Sequence, residues 1–291
     1  MKVVDTYGAH ECRVYYVQES TYGQTPSNPS MLGVNAENIE PSLNPSLIQV
    51  RGIGNRDLAA LKRGLLKPAL KISHIIPSDA PISFVQHVQT LNSLSIQILY
   101  YKGLFASATD IISLLYKGMR VDKLTVECGI DEVVKATVEL IGRDVAVGTG
   151  KITGATYADY AGAVPYHQCF VQRGTADGSG LAAVERVTDW KFTIENNLKP
   201  VPVIRTTSGH LLKYLPARHR ELSGELTFEF EDKGEFEDVV NDGEFSLKFG
   251  LGDSNYALFK YCKWESVTTP TRIEDLVNLK ARFIARDVVI A

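Results

Sequence analysis

The chain has 291 residues, 44% of them hydrophobic and 22% charged, with a formal net charge of −3. That length and composition give a globular protein with a sizeable core and exclude global disorder. The slight acidity excludes a dedicated nucleic-acid binder, whose phosphate contacts need a basic surplus.

The first seven residues lack the basic-then-apolar pattern of a signal peptide. No stretch approaches the ~18 to 20 uninterrupted apolar residues of a membrane-spanning helix. A protein made in the cytosol, with no membrane contact, is the expectation. Residues 1–47 carry little periodic pattern. Turn chemistry fills Tyr22, Gly23, Pro26 and Pro29, and Pro41 and Pro45 follow. A structureless segment this long is unusual inside a compact domain, so an extended arm over residues 1–47 is predicted. Asp57 is placed to cap a short helix over 58–64, stopped by Gly64.

Period-two alternation then dominates. Leu94, Ile96, Ile98 and Tyr100 share one face. Residues 106–116, with Ile111, Leu114 and Leu115 at helical spacing, predict a helix. Leu124, Val126 and Cys128, then Val134, Ala136, Val138 and Leu140, predict a hairpin around Gly129-Ile130-Asp131. Residues 142–180 read as a Gly/Ala/Tyr/Thr-rich insertion or protruding hairpin, and residues 199–218 as a second pattern break. Trp190, Phe192 and Ile194 form a strand, as do Leu226, Phe228 and Phe230. A short helix is expected near 236–240, then strands on Phe245, Leu247, Phe249 and Leu251 and on Leu279, Ala281, Phe283 and Ala285. The predicted fold is mainly β, a single domain over 48–291 with one or two short helices and long loops.

Charge is segregated. Residues 48–120 hold nine Lys/Arg against three Asp/Glu, and residues 221–265 hold four against twelve. Such blocks are either solvated faces or complementary surfaces that meet between copies. Arg51, Arg56, Lys62 and Arg63 are the candidate basic interface. Glu225, Glu229 and Glu231 are either the wet face of a strand or an acidic lumen or interface face, where like charge keeps a polyanion from sticking.

Motifs for chemistry fail one by one. Residues 51–57 contain Gly-x-Gly without a third glycine at nucleotide-binding spacing; residues 148–151 lack the upstream glycine of a P-loop and continue into Ile152. The six histidines form no HxH, HExxH or HxxxH pair, and no GxSxG elbow nominates a nucleophile. His167 lies two residues from Cys169, which strand geometry alone explains. The four cysteines, Cys12, Cys128, Cys169 and Cys262, are too dispersed for structural zinc and read as buried thiols. Residues 232–235 lack the repeated oxygen ligands of a calcium loop. No catalytic residue, cofactor or metal is predicted, and the chain reads as non-enzymatic.

Several segments, in order, resemble the tail tube proteins of long-tailed bacterial or archaeal viruses. Glu19-Ser20-Thr21-Tyr22-Gly23 resembles that family's ETTYG opening, and residues 45–51 with Gly54-Asn55-Arg56-Asp57 resemble its GxRD segment. Gly118 to Val126 is similar to a G-x-K-V-N-x-L-T-I strand, with Val134 to Leu140 as its partner. Trp190 to Leu198 is similar to F-x-L-x-I-N-N-x-L, and Glu221 to Phe228 to the strand that follows. Residues 269–276 lead into Phe283 to Arg286, similar to the C-terminal strand. The resemblance implies two packed, orthogonal β-sheets with a flanking helix, in a structural virion protein. Six copies would close a ring by continuing sheets across subunits, and rings would stack, with the N-terminal arm (Tyr22, Gly23, Pro26, Pro29) reaching the next ring. It further implies synthesis in the host cytoplasm and residence in the virion tail. Tape measure, terminator and distal tail proteins would be partners, and DNA would pass the lumen without specific binding. Alternatives are another virion or injection-machine tube component, or a carbohydrate-binding or hydrolytic β-sandwich.

Overall fold

The computed structural model describes residues 6–78, 83–159, 162–252, 255–271 and 277–291. Four strands open the chain: β1 (Cys12–Gln18), β2 (Ser30–Val34), β3 (Ala36–Val50) and β4 (Ala60–Ile75). A helix, α1 (Ser83–Thr90), leads to β5 (Leu94–Tyr101), β6 (Ile111–Gly129), β7 (Lys135–Ile141), β8 (Asp144–Gly148) and β9 (Thr156–Ala158). Next come β10 (Cys169–Thr175), β11 (Ala182–Ala183), β12 (Val187–Glu195) and β13 (Glu221–Glu229). The helix α2 (Gly234–Val240) precedes β14 (Phe245–Leu251), β15 (Tyr256–Thr268), β16 (Asn278–Ile284) and β17 (Asp287–Ile290). The chain is mainly β with two short helices, as the alternation predicts.

The strands form one hydrogen-bonded network with three ladders. The first runs β9–β2–β1–β5–β6–β8. The second, eight strands wide, runs β3–β4–β7–β6–β12–β13–β16–β15. The third runs β11–β10–β14–β15–β17. Two long strands belong to two ladders each, so each must turn a corner. In β6 the corner is Gly118, at φ 65°. A Cβ there would stand 2.9 Å from Cβ of Arg143 and 3.1 Å from the Tyr22 ring, so only glycine fits. In β15 a non-glycine, Tyr261, takes the same left-handed turn at φ 52°, with its amide donating to the Ala176 carbonyl at 2.9 Å and Arg286 over its ring at 4.1 Å.

Inward-facing residues of the ladders meet in one core. Its centre is aromatic: Phe192 packs on Phe249 and Phe259 at centroid separations of 5.4 and 5.1 Å, and Phe259 on Phe283 at 5.5 Å. On α1, Phe84, Val85 and Val88 turn one face into it. A satellite core gathers Tyr15, Phe105 and Tyr157 beneath Arg13 and Lys151.

Four expectations are corrected. Among the described residues of the 1–47 segment there is no extended arm over 12–34, since β1 pairs with both β2 and β5 inside the first ladder; residues 1–5 lie outside the described residues. Residues 58–64 are not a helix but the far end of a two-stranded ribbon. Residues 106–116 are not helical; from Ile111 they belong to β6, where β5 and β8 flank the strand and both its faces carry apolar side chains, which hides the alternation. Residues 142–180 are not an insertion, since β8, β9 and β10 are each paired within the ladders. Residues 199–218 do form an irregular loop, anchored by buried Leu211, Leu212 and Leu215 and by Arg120 donating to the Leu215 carbonyl at 2.8 Å. Within the C-terminal motif, residues 272–276 lie outside the described residues.

Candidate assembly surfaces

Tyr22 and Gly23, read from sequence as arm residues, sit instead on the body of the protein. Glu19 is buried, and its carboxylate accepts hydrogen bonds from the Gly23 and Gly118 amides and the Ser95 hydroxyl at 2.7 to 2.8 Å. Tyr22 lies between the guanidinium groups of Arg120 and Arg143, 5.4 and 5.7 Å from its ring, and burial pushes its phenol up to about 12. Arg143 also donates to the Tyr22 carbonyl at 3.0 Å. The turn that looked like a flexible opening is the clamp on the β6 corner. Pro26 and Pro29 continue this turn into β2, and the Pro29 carbonyl accepts from the Thr156 amide at 3.0 Å.

What does project is the β3–β4 hairpin. Its base is held because β4 pairs with β7 over Ala69 to Ile75. Beyond Pro68 the Leu66 amide still donates to the His210 carbonyl at 2.8 Å, and from there the two strands pair with each other out to Val50 opposite Ala60. Two prolines survive in β3 because it is an edge strand, and Pro45 lies at a bulge. Opposite that bulge the chains close so tightly that a Cβ on Gly64 would meet the Ser46 carbonyl oxygen at 2.6 Å. The ribbon carries exposed Leu47, Ile48, Ile53 and Leu61, each more than half accessible. Arg51, Arg56, Lys62 and Arg63 are exposed beside them. An isolated ribbon has no core of its own, and exposed apolar groups rimmed by charge mark an interaction surface.

Glu225, Glu229 and Glu231 do not form one acidic face. Along the outward side of the eight-stranded ladder, charges alternate in sign from strand to strand. One row reads Glu37, Lys135, Glu127, Lys191, Glu225, Arg282, Glu265. Its ion pairs include Lys135–Glu37 at 3.2 Å, Lys191–Glu127 at 3.0 Å and Arg282–Glu265 at 2.9 Å. A second row reads Glu40, Lys71, Glu139, Lys123, Glu195, and the alternation ends there, since Glu195 faces Glu221 on β13. Between them runs a row of uncharged groups: Asn38, Ser73, Thr137, Thr125, Thr193 and Ser223. Glu225 therefore stands between Lys191 and Arg282, in a wall that neutralises itself. One-dimensional charge counting missed this because the compensating bases arrive from β12 and β16, distant in sequence.

Glu229 follows Glu225 on the outward face of β13, opposite Asn278, while Glu231, beyond the end of the strand, belongs to a different surface, the corner around α2. Two of its acids hold the helix down. Glu235 is buried and accepts from Arg186 at 2.6 Å; Asp238 pairs with Arg173 and accepts from the Trp264 indole at 3.0 Å. The remaining acids, Glu231, Asp232, Glu237, Asp242 and Glu244, are exposed, with Glu237 paired to Lys233 at 2.6 Å and Asp242 to Lys263 at 2.8 Å. Phe230, Val239 and Val240 are exposed among them, Val240 at 83%.

Among the described residues no group of three or more His, Cys, Asp or Glu is arranged to hold a metal ion. No helix is long and apolar enough to cross a membrane. The fold brings Cys128 and Cys169 together, where the neighbouring Cys128 thiol and burial push Cys169 up. Its Sγ lies 3.6 Å from the Pro165 carbonyl, while the ring of His167 packs on Tyr166, so the two residues make no nucleophile–base pair.

A mainly β body with a projecting ribbon and broad, charged sheet faces defines a subunit built to assemble. The sequence profile of the phage tail tube protein family matches residues 83–283, and the chain belongs to that family: it is a structural tail tube protein. No curated protein matches the sequence. Among solved structures, the tail of an empty gene transfer agent particle is 9% identical, covering 44% of this chain and 99% of that one at a TM-score of 0.37. The tube-terminating cap of the anti-feeding prophage is 14% identical, covering 52% and 95% at 0.39, and its baseplate 12%, covering 50% and 98% at 0.36.

Proposed function

We propose that this protein polymerises as stacked hexameric rings, forming the tube through which viral DNA leaves the capsid. Family membership over residues 83–283 carries the reading. Further copies of the chain are the main partners, with tape measure, terminator and distal tail proteins inside and at the ends of the tube. The protein is made in the host cytoplasm, resides in the virion tail and turns over no substrate. The β3–β4 hairpin, which lies outside the matched residues, is the element that reaches a neighbouring copy, in place of the N-terminal arm.

The outward side of the eight-stranded ladder is the surface that stays wet in the assembly. Most of its charged side chains stand opposite the other sign, with ion pairs made by Lys135, Lys191, Arg282 and Lys123, so burying it against a partner would cost the desolvation of those pairs. A self-neutralised wall also gives passing DNA neither a basic track to grip nor a strong field to oppose it. That chemistry suits the lumen.

Electron microscopy of the purified protein tests the reading. Rings of six or hollow tubes are expected, whereas a protein that stays monomeric at concentrations of milligrams per millilitre would overturn it.

A further inference from the structure

Two surfaces of the subunit match each other in charge and in apolar content. The hairpin beyond Pro45 carries Arg51, Arg56, Lys62 and Arg63 against a single acid, Asp57, and exposes Leu47, Ile48, Ile53 and Leu61. The α2 corner, residues 230–244, carries seven acids against the four bases that pair with them, Arg173, Arg186, Lys233 and Lys263, so it stays net acidic, and it exposes Phe230, Val239 and Val240. Both therefore offer an apolar centre with a charged rim, and the rims are of opposite sign.

We propose that the α2 corner is the docking surface for the β3–β4 hairpin of a second copy of this chain. The proposal rests on the reading that the protein assembles into a tube, and it specifies which surface of one subunit receives which element of the next. Three features favour a second copy as the occupant. The complementary patches lie on one and the same chain, so every subunit brings both. The patches are different surfaces, so the contact is head-to-tail and propagates instead of closing as a pair. The corner is also held rigid from below, by Arg186 on Glu235 and by Arg173 on Asp238, so that little order is lost on docking. Arginine is favoured at the centre of such contacts, and Arg51, Arg56 and Arg63 are all exposed on the hairpin.

Charge exchange tests the contact. In one variant Arg51→Glu and Arg56→Glu reverse the hairpin; in another Glu231→Lys and Glu237→Lys reverse the corner. These side chains are exposed, so an unchanged far-UV circular dichroism spectrum and melting temperature show that each variant folds. Each alone is expected to raise the critical concentration for tube growth by roughly tenfold or more, and the chain carrying all four substitutions is expected to recover. A second measurement does not depend on charge: Ile53→Cys with Val240→Cys is expected to give an intermolecular disulfide ladder under mild oxidation that neither single variant gives. Corner variants that grow normally, or a fourfold variant that does not recover and a double-cysteine chain that does not cross-link, overturn the docking surface while tubes of the parent protein still stand. A parent protein that forms neither rings nor tubes overturns both readings.

Discussion

Glu19 shows how much one side chain settles. Its buried carboxylate holds three donors from three parts of the chain: the 20–24 turn, β5 and the corner of β6. Replacing it with alanine leaves the Gly23 and Gly118 amides unsatisfied in the interior, while the Ser95 hydroxyl keeps the Thr25 hydroxyl as a partner. The expected cost is about 2 to 4 kcal/mol, with Glu19→Gln intermediate. Urea denaturation measures it, and a loss below about 0.5 kcal/mol would show that water replaces the carboxylate. His74 makes a different kind of contribution. It is buried against Phe84, with Nδ1 3.2 Å from the Ile75 carbonyl, and burial lowers its pKa to about 4. The native state therefore keeps this ring neutral at pH values where the unfolded chain already binds a proton. Its contribution is fully present above pH ~6.5 and declines as pH falls toward 4, by up to about 3 kcal/mol. A His74→Leu variant should show a shallower loss of stability over that window, and parallel curves for the two proteins would refute the assignment.

At the level of elements, the β3–β4 hairpin separates folding from assembly. Replacing residues 46–65 with Asn-Gly closes the ribbon where Pro45 faces Leu66 and removes almost no core. The shortened protein should melt within a few degrees of the parent and form no long tubes; normal tubes would remove the hairpin from the interface. The same element marks the limit of what alternation reveals. β12, β13 and β16 are legible because one face of each is buried and the other wet, as with Trp190, Phe192 and Ile194 against Lys191, Thr193 and Glu195. β5 and β14 are buried on both faces and keep their alternation because Ser95, Gln97, Ser246 and Lys248 stand between the apolar residues. In the hairpin both faces are wet, so Leu47, Ile48 and Leu61 follow no period, and Pro41 and Pro45 argue falsely for a loop. In the first half of β6 both faces carry apolar residues, and Ile111, Leu114 and Leu115 imitate a helix. The family resemblance reached the right class of protein because it rests on the order of several one-sided strands. The surfaces were less legible, since β12 and β16 bring Lys191 and Arg282 beside Glu225 only once the sheet exists.

For the molecule as a whole, the feature with the widest reach is the pair of strands, β6 and β15, that pass through two ladders each. Were the ladders joined only by loops, a tug on one could peel it from its neighbour a single hydrogen bond at a time. Here tension entering one ladder travels along unbroken backbone through Gly118 or Tyr261 into the next. It meets the rungs there in shear, many at once. A wall of such subunits gives way all together or not at all, which is the mechanical behaviour required of a conduit that must hold while a stiff polymer is driven through it under pressure.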